Sequence, residues 1–288
     1  MNKIFVISDI HLNFDLIEQT KPSFSSKSFD DETVQLEFKR KTFDMSQFGK
    51  EWNDYKERLE NEWDKTVGKD DIVIIAGDIS AASKLPENDF QWIEKRPGKK
   101  ILGCGNHDKW WPKKANQRKA IMEKYKSLYL VDNTHDYLDD KLYVIGTRFC
   151  DTKYNVWPIL DNELNEKELT VSIDETCCKV MEERIEKLLK KLENVSDDKT
   201  KILMLHHPPY NEKAEMNEIV KKIVDSKVNY CLFGHIHNLG KFFLHDEYKS
   251  ISDVQKRYPS IDITFDQTRF ICCSSDLLQF KPLELFEK

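Results

Sequence analysis

The chain reads as an α/β protein whose strands are buried on both faces. Three observations point there. Short apolar runs rich in Ile and Val recur without helical period, as strands covered on both sides do. Stretches with apolar spacings of three and four separate them. Each run then stops at Asp, Asn or His, and in open α/β sheets the carboxyl edge of the strands is where ligands bind.

The runs are 4–7, ending at Ser8-Asp9; 72–76, ending at Gly77-Asp78; and 101–104, ending at Gly105-Asn106. Two more are 202–205, ending at His206, and 230–233, ending at Gly234-His235. Trp52, Tyr55, Leu59, Trp63 and Val67 predict an amphipathic helix over 49–68 with a heavy aromatic face. A second helix is expected over 172–192, with Met181, Ile185 and Leu188 on one side and a capping box from Ser172 and Glu175. A third is expected over 215–224. Alternating apolar runs and turn residues over 128–150 and 261–274 suggest antiparallel strands, with 270–273 buried.

At 288 residues the chain is long enough to bury a substantial core and is read as one domain, 1–288, with a helical insertion at about 20–70. That segment is long for a connection, so it either rims the site as a lid or packs on the sheet. Net charge is −6 with Lys and Arg dispersed, which gives no clear nucleic-acid-binding patch, although a local groove stays open. The apolar run 4–7 is too short for a signal-peptide core, and no stretch approaches the ~20 apolar residues of a membrane span. Seven cysteines, an odd number with no C-x-x-C, read as buried free thiols, and a reducing, cytoplasmic setting is expected.

The chemistry rests on five strand-end segments. In Asp9-Ile10-His11, side chains at i and i+2 of an extended segment can converge on one cation; alone, the pattern better suits an Asx turn beside a surface histidine. Asp78 follows a glycine that lets the chain turn, and one carboxylate can bridge two cations ~3.5–4 Å apart. In Gly105-Asn106-His107-Asp108, Asn106 offers a neutral oxygen ligand, His107 a proton donor and Asp108 its orienting partner, unless the run is simply a tight turn. His206 is the ligand expected of His206-His207, with His207 supporting or structural, because neighbours on extended backbone diverge. Gly234-His235-Ile236-His237 repeats the i, i+2 geometry with two imidazoles. Of eight histidines, six lie in these segments, which a chance scatter would not produce.

In that order the segments resemble the signature of the calcineurin-like metallophosphoesterases: D-x-H, G-D, G-N-H-[D/E], H and G-H-x-H. Gly77-Asp78-Ile79-Ser80, Trp92-Ile93, Trp110-Trp111, Gly146-Thr147-Arg148 and Phe280-Lys281-Pro282 are further similar to a bacterial-type branch of predicted phosphohydrolases. The resemblance implies the metallo-dependent phosphatase fold, a four-layer α-β-β-α sandwich of two mixed β-sheets flanked by helices. It implies one metal on Asp9, His11, Asp78 and His237, and another on Asp78, Asn106, His206 and His235. Ile79-Ser80-Ala81-Ala82-Ser83 lacks the tyrosine of the purple acid phosphatases after G-D, so no iron–tyrosine site is expected. An O/N ligand set without thiolate suits two divalent transition-metal ions, Mn, Fe or Zn, over Mg or Ca.

The expected reaction is in-line attack on a phosphoester by a hydroxide held between the metals, with His107 protonating the leaving oxygen and Asp108 orienting that imidazole. Arg148 either grips the substrate phosphate or is an ordinary surface arginine, and Trp110 and Trp111 either line the site or pack. A phosphodiesterase on a small or nucleotide-like substrate is the leading reading. A phosphomonoesterase, protein phosphatase or nuclease is the alternative, and a non-catalytic scaffold the third.

Overall fold

The computed structural model describes residues 2–15 and 45–288; the first part of the expected insertion, 20–44, lies outside the described residues. In chain order the elements are β1 (Lys3–Ile7), α1 (Tyr55–Thr66), β2 (Ile72–Ile75), α2 (Glu87–Lys95), β3 (Lys99–Leu102), α3 (Ala115–Lys124) and β4 (Leu128–Leu130). There follow β5 (Tyr137–Leu138), β6 (Leu142–Thr147), β7 (Ile159–Leu160), β8 (Glu166–Lys167), α4 (Glu175–Leu192), β9 (Thr200–Leu205), α5 (Glu218–Asp225) and β10 (Tyr230–Phe233). The chain closes with α6 (Ile251–Arg257), β11 (Asp262–Phe265), β12 (Thr268–Cys272) and β13 (Leu283–Glu287).

Two mixed sheets form, each with a parallel centre; one has a single antiparallel edge and the other has two. One has the order β13-β1-β2-β3-β4, with only β13 antiparallel to its neighbour. The other has the order β11-β12-β10-β9-β6-β5, with β11 and β5 antiparallel at its edges. The antiparallel reading of 128–150 therefore holds only for the β5–β6 pair. β4 runs parallel to β3 in one sheet and β6 parallel to β9 in the other, a choice set by long-range partners and invisible to local alternation.

The continuous apolar runs divide their side chains by the two-residue period of a strand. Ile4, Val6, Ile74 and Ile101 meet Val144, Ile202, Leu232 and Ile271 in a core between the sheets. On the outer face of the first sheet, Phe5, Ile7 and Val73 pack with Tyr55, Leu59 and Trp63 of α1 and Phe90 of α2. On the outer face of the second, Leu203 and Phe233 pack with Ile185 and Leu188 of α4 and Ile223 of α5. Helix, sheet, sheet, helix is the four-layer order.

The aromatic helix is shorter than expected, since 3₁₀ turns at Met45–Phe48 and Lys50–Trp52 precede it. The cap of α4 is Asp174, whose side chain accepts from the Cys177 N–H at 3.0 Å, so Ser172 and Glu175 do not form the expected box. All seven cysteines are free and five are buried. Among the described residues no helix is long and apolar enough to cross a membrane.

Candidate metal centre

Parallel pairing places the carboxyl ends of β1, β2 and β3 along one edge, and those of β9, β10 and β12 along the matching edge of the other sheet. The edges are joined directly. The Ser8 N–H donates to the Cys273 carbonyl at 2.7 Å and the Ser275 N–H to the Ser8 carbonyl at 3.0 Å, extending β1 across to the end of β12. Asp9, His11, Asp78 and Asn106 thus come from one sheet, and His206, His235 and His237 from the other.

Their convergence is not the simple extended i, i+2 geometry. Asp9 (φ 58°), His11 (φ 41°), Asp78 (φ 50°) and His235 (φ 72°) all occupy the left-handed region. For residues with a side chain that conformation costs on the order of 1 kcal/mol or more each and clusters at functional sites. Hydrogen bonds hold it: the Asp9 and His11 N–H groups donate to the Gly77 and Asp78 carbonyls, both at 3.0 Å, and the Ser275 hydroxyl donates to the Asp9 carbonyl at 2.7 Å. Gly77 turns at φ 105°, where a Cβ would lie 2.7 Å from the His206 ring and 2.8 Å from the Gly105 nitrogen. A Cβ on Gly234 would lie 2.2 Å from an Asp9 carboxylate oxygen. Side chains are excluded where the two edges meet.

Asp9, His11, Asp78 and His237 bring one ligand atom each to within 4.8 Å of one another, an arrangement able to hold a metal ion. His11 Nε2 and His237 Nε2 are 3.2 Å apart, and Asp78 Oδ2 is 3.6 Å from the former. His206, His207 and His235 form a second such group. His206 Nε2 lies 2.7 Å from Asn106 Oδ1 and 3.3 Å from Asp78 Oδ2, and His235 Nδ1 lies 3.0 Å from Asn106 Oδ1. His207 sits closer to the site than its expected supporting place, with its ring centroid 4.0 Å from that of His235 and its Nδ1 3.2 Å from the Arg148 carbonyl.

The donor set fits cations. His206 Nδ1 faces the Ala76 carbonyl at 3.2 Å and so carries a proton, which turns Nε2 toward Asn106 Oδ1 and Asp78 Oδ2. Asp78 Oδ1 accepts from the His107 N–H at 2.8 Å, while Oδ2 is buried with no hydrogen-bond partner. A buried carboxylate oxygen without a hydrogen bond calls for positive charge beside it.

The titration of the histidines follows. Burial and the neighbouring His237 push His11 down to about 3, and burial likewise holds His237 at about 3, so both stay neutral, as ligands must. For His206 burial opposes protonation, but the carboxylates of Asp78, Asp9 and Asp108 outweigh it and raise the pKa to about 9. Burial works against the Asp78 carboxylate, yet His206 and His11 hold its pKa well below the usual range.

His107 projects from the loop after β3 with its side chain 49% exposed and Nε2 3.9 Å from Asp78 Oδ2. Asp108 does not orient it. The Asp108 carboxylate is buried and accepts from the Ile79, Ser80 and Gly105 N–H groups at 2.9, 3.1 and 2.8 Å and from Trp110 Nε1 at 3.1 Å. It clamps the G-D and G-N-H-D loops together. Burial and the charge of Asp78 raise its pKa to about 7 against those hydrogen bonds.

Of the two readings of Trp110 the structure shows packing and not the substrate contact: it is buried edge-on against Phe90 at 4.9 Å, in the core. Trp111 instead borders a groove beside Asn106, which Arg148 also lines. The Arg148 carbonyl accepts from the N–H groups of His206 and His207, at 3.1 and 3.0 Å.

Residues not singled out from sequence complete the shell. Asp151 Oδ1 is 3.4 Å from His235 Nε2, which leaves Nδ1 of that ring facing the site. Tyr55 donates to the His11 carbonyl at 2.6 Å, and the Trp52 ring stands 6.1 and 6.0 Å from the rings of His11 and His237. The aromatic face of 49–68 thus backs two of the site histidines. Its spacing was the available signal; Asp151, three residues past Arg148 in an irregular loop, left none.

The model of the family described as calcineurin-like phosphoesterase matches residues 2–239. Gene 66 protein of Mycobacterium phage L5 is 44% identical over 64 residues, 22% of this chain and 31% of that protein. Gene 66 protein of Mycobacterium phage D29 is 47% identical over 51 residues, 17% and 26% of the respective chains. The match therefore spans less than a third of either relative's length. Among solved structures, a protein of unknown function, AQ665 from Aquifex aeolicus, aligns over 98% of this chain and 95% of its own, with TM-score 0.43 and 11% identity. Phosphopantetheinyl hydrolase (PptH) from Mycobacterium tuberculosis aligns over 95% and 89%, with TM-score 0.42 and 13% identity. With its signature segments gathered at one double-sheet edge and the family model spanning most of its length, the chain belongs to the calcineurin-like phosphoesterase family.

Proposed function

We propose that the chain is a phosphodiesterase acting on a small or nucleotide-like substrate with two divalent transition-metal ions, Mn, Fe or Zn. The observation that carries the paired site is Asp78 Oδ2, buried and without a hydrogen bond, 3.6 Å from His11 Nε2 and 3.3 Å from His206 Nε2. Asp9, His11, Asp78 and His237 would hold one ion, and Asp78, Asn106, His206 and His235 the other. Bound there, the ions would supply activated water at neutral pH and neutralise charge on the phosphoryl oxygens.

The remaining steps belong to the chain. His107, exposed beside the site and fixed through its N–H on Asp78 Oδ1, would give a proton to the leaving oxygen. Arg148 meets the phosphoryl oxygens with its planar donor fork. Asp108 keeps the two ligand loops in register and takes no part in proton transfer. A cavity of about 310 Å³ bordered by His235 and His237 and walled by Trp157, Pro158, Ile159 and Leu169 accommodates an organic group of ring size, which favours a small ester over a protein substrate.

The test is metal analysis followed by hydrolysis of bis(4-nitrophenyl) phosphate and 4-nitrophenyl phosphate with Mn²⁺, Zn²⁺ or Fe²⁺ restored. The expected result is two metals per chain and faster turnover of the diester. Inertness toward both esters, in protein shown to hold two metals, would favour a scaffold.

A further inference from the structure

We propose that the groove beside Asn106 binds a second phosphate of the same substrate, so that the ester cleaved is a polyanion and not a singly charged diester. This rests on the phosphodiesterase reading above. The groove encloses about 800 Å³ and runs from Gly105 and Asn106 past Arg148 to Arg184 and the start of α3.

Its charges do not balance. Lys109, Lys113, Arg118, Arg148 and Arg184 face it, against Asp108 and Asp132. Asp132 is tied to Arg118 and to Trp111 Nε1, and Asp108 is consumed by backbone N–H groups. Lys109, Lys113, Arg148 and Arg184 are left with no carboxylate partner among the described residues. In a chain of net charge −6, four such cations around one concavity are not a reflection of composition.

Two further features point the same way. Ala115, the first residue of the ten-residue α3, borders the groove; Lys114 caps that helix and its first turn carries no acid. Lysines 113 and 114 stand at the positive end of a helix dipole, an unfavourable placement unless an anion joins them. Arg148 Nε is buried without a hydrogen-bond partner, a donor that a phosphate oxygen would satisfy, so its fork stands between the phosphoryl group at the centre and the second phosphate met by Lys109, Lys113 and Arg184. Because Asn106 belongs both to the groove and to the candidate centre, one small molecule spans them.

The discriminating pair of substrates is the 4-nitrophenyl ester of thymidine 5′-phosphate with and without a 3′-phosphate, assayed on metal-loaded full-length protein. KM should be at least about ten-fold lower for the 3′-phosphorylated ester, and in Lys113→Ala/Arg184→Ala the gap should close. Independently, calorimetry on chelated protein should show one tripolyphosphate bound per chain, weakened about ten-fold in the same variant and by added salt. Circular dichroism melts establish that the variant is folded. Equal KM for the two esters in the unmodified protein, or no tripolyphosphate binding, overturns the proposal. Retention of single-stranded DNA without any tripolyphosphate response overturns it in favour of a polynucleotide. Tripolyphosphate binding in a protein inert toward every ester supports the anion site and strikes the esterase reading instead.

Discussion

His107 and Asp108 are neighbours in sequence with opposite environments, one ring half exposed beside Asp78, the other side chain buried under four N–H donors. His107→Ala should lower turnover ~10²–10⁴-fold with metal content and melting temperature near those of the unmodified protein. Loss of both metals in that variant would show it to be a structural residue. Asp108→Asn should do the reverse. Its amide would turn a donor toward one of the N–H groups that now meet a carboxylate oxygen, at a cost of about 1–3 kcal/mol. The variant should melt earlier and bind metal more weakly, with no change in the pH profile of the turnover that remains; an altered profile would restore Asp108 to the proton path. The positions of both were legible in the sequence, because G-N-H-D follows a buried run. Their division of labour was not, since adjacent side chains diverge and only the fold decides which one meets the G-D loop. The same holds for Asp9 and His11: the D-x-H spacing marked them, but left-handed backbone at both, held by carbonyls of the Gly77-Asp78 turn, is what aims them.

At the scale of elements, α2 shows what local pattern cannot reveal. The helix carries Asp89 on its buried side, where Oδ1 accepts from the Phe14 N–H at 2.8 Å and Oδ2 meets the Ser80 hydroxyl. Burial raises its pKa to about 6 from an ordinary 3.8, although the Ser80 and Phe14 hydrogen bonds oppose the shift. The folded state thus binds this proton more tightly than the unfolded chain. The contribution to stability is full below about pH 4 and is lost as pH rises through about 6, opposite to a salt-bridged aspartate. The difference in unfolding free energy between the unmodified protein and Asp89→Asn, from urea midpoints, should fall by up to about 3 kcal/mol across that window and be flat above pH 7. A difference that rises with pH would contradict the assignment. The five apolar runs that became β1, β2, β3, β9 and β10 were legible because strands buried on both faces need continuous Ile and Val. α2, α3, α6 and β13 are too short for a sustained local period to announce them. The cap of α4 was displaced by two residues because Asp174, not Ser172, reaches an early N–H.

For the whole molecule, the candidate centre sits where two sheets abut, and each sheet supplies part of the proposed ligand set. Without cations, the edge brings together the fully buried carboxylates of Asp9 and Asp78, and His206 is held up to about 9 as the nearest compensating charge. Metal binding should therefore clamp one sheet to the other across the core of Ile4, Val6, Ile202 and Leu232 and act on global stability, not on the loops alone. At a hundred times the dissociation constant a single site adds about 3 kcal/mol, which for a chain of this length moves the melting temperature by about 5–10 °C. Chelation should lower the calorimetric melting temperature by that amount, and Mn²⁺ should restore it. Asp78→Asn separates this linkage from a general effect of the chelator. It removes the charge from the oxygen that has no partner, so the metal-free variant should melt at or above the metal-free parent and gain little from added Mn²⁺. If chelation leaves the parent's melting temperature unchanged, or if Asp78→Asn gains as much as the parent from Mn²⁺, the two sheets are held by their apolar core and the hydrogen bonds between their edges, and the centre contributes nothing to the fold.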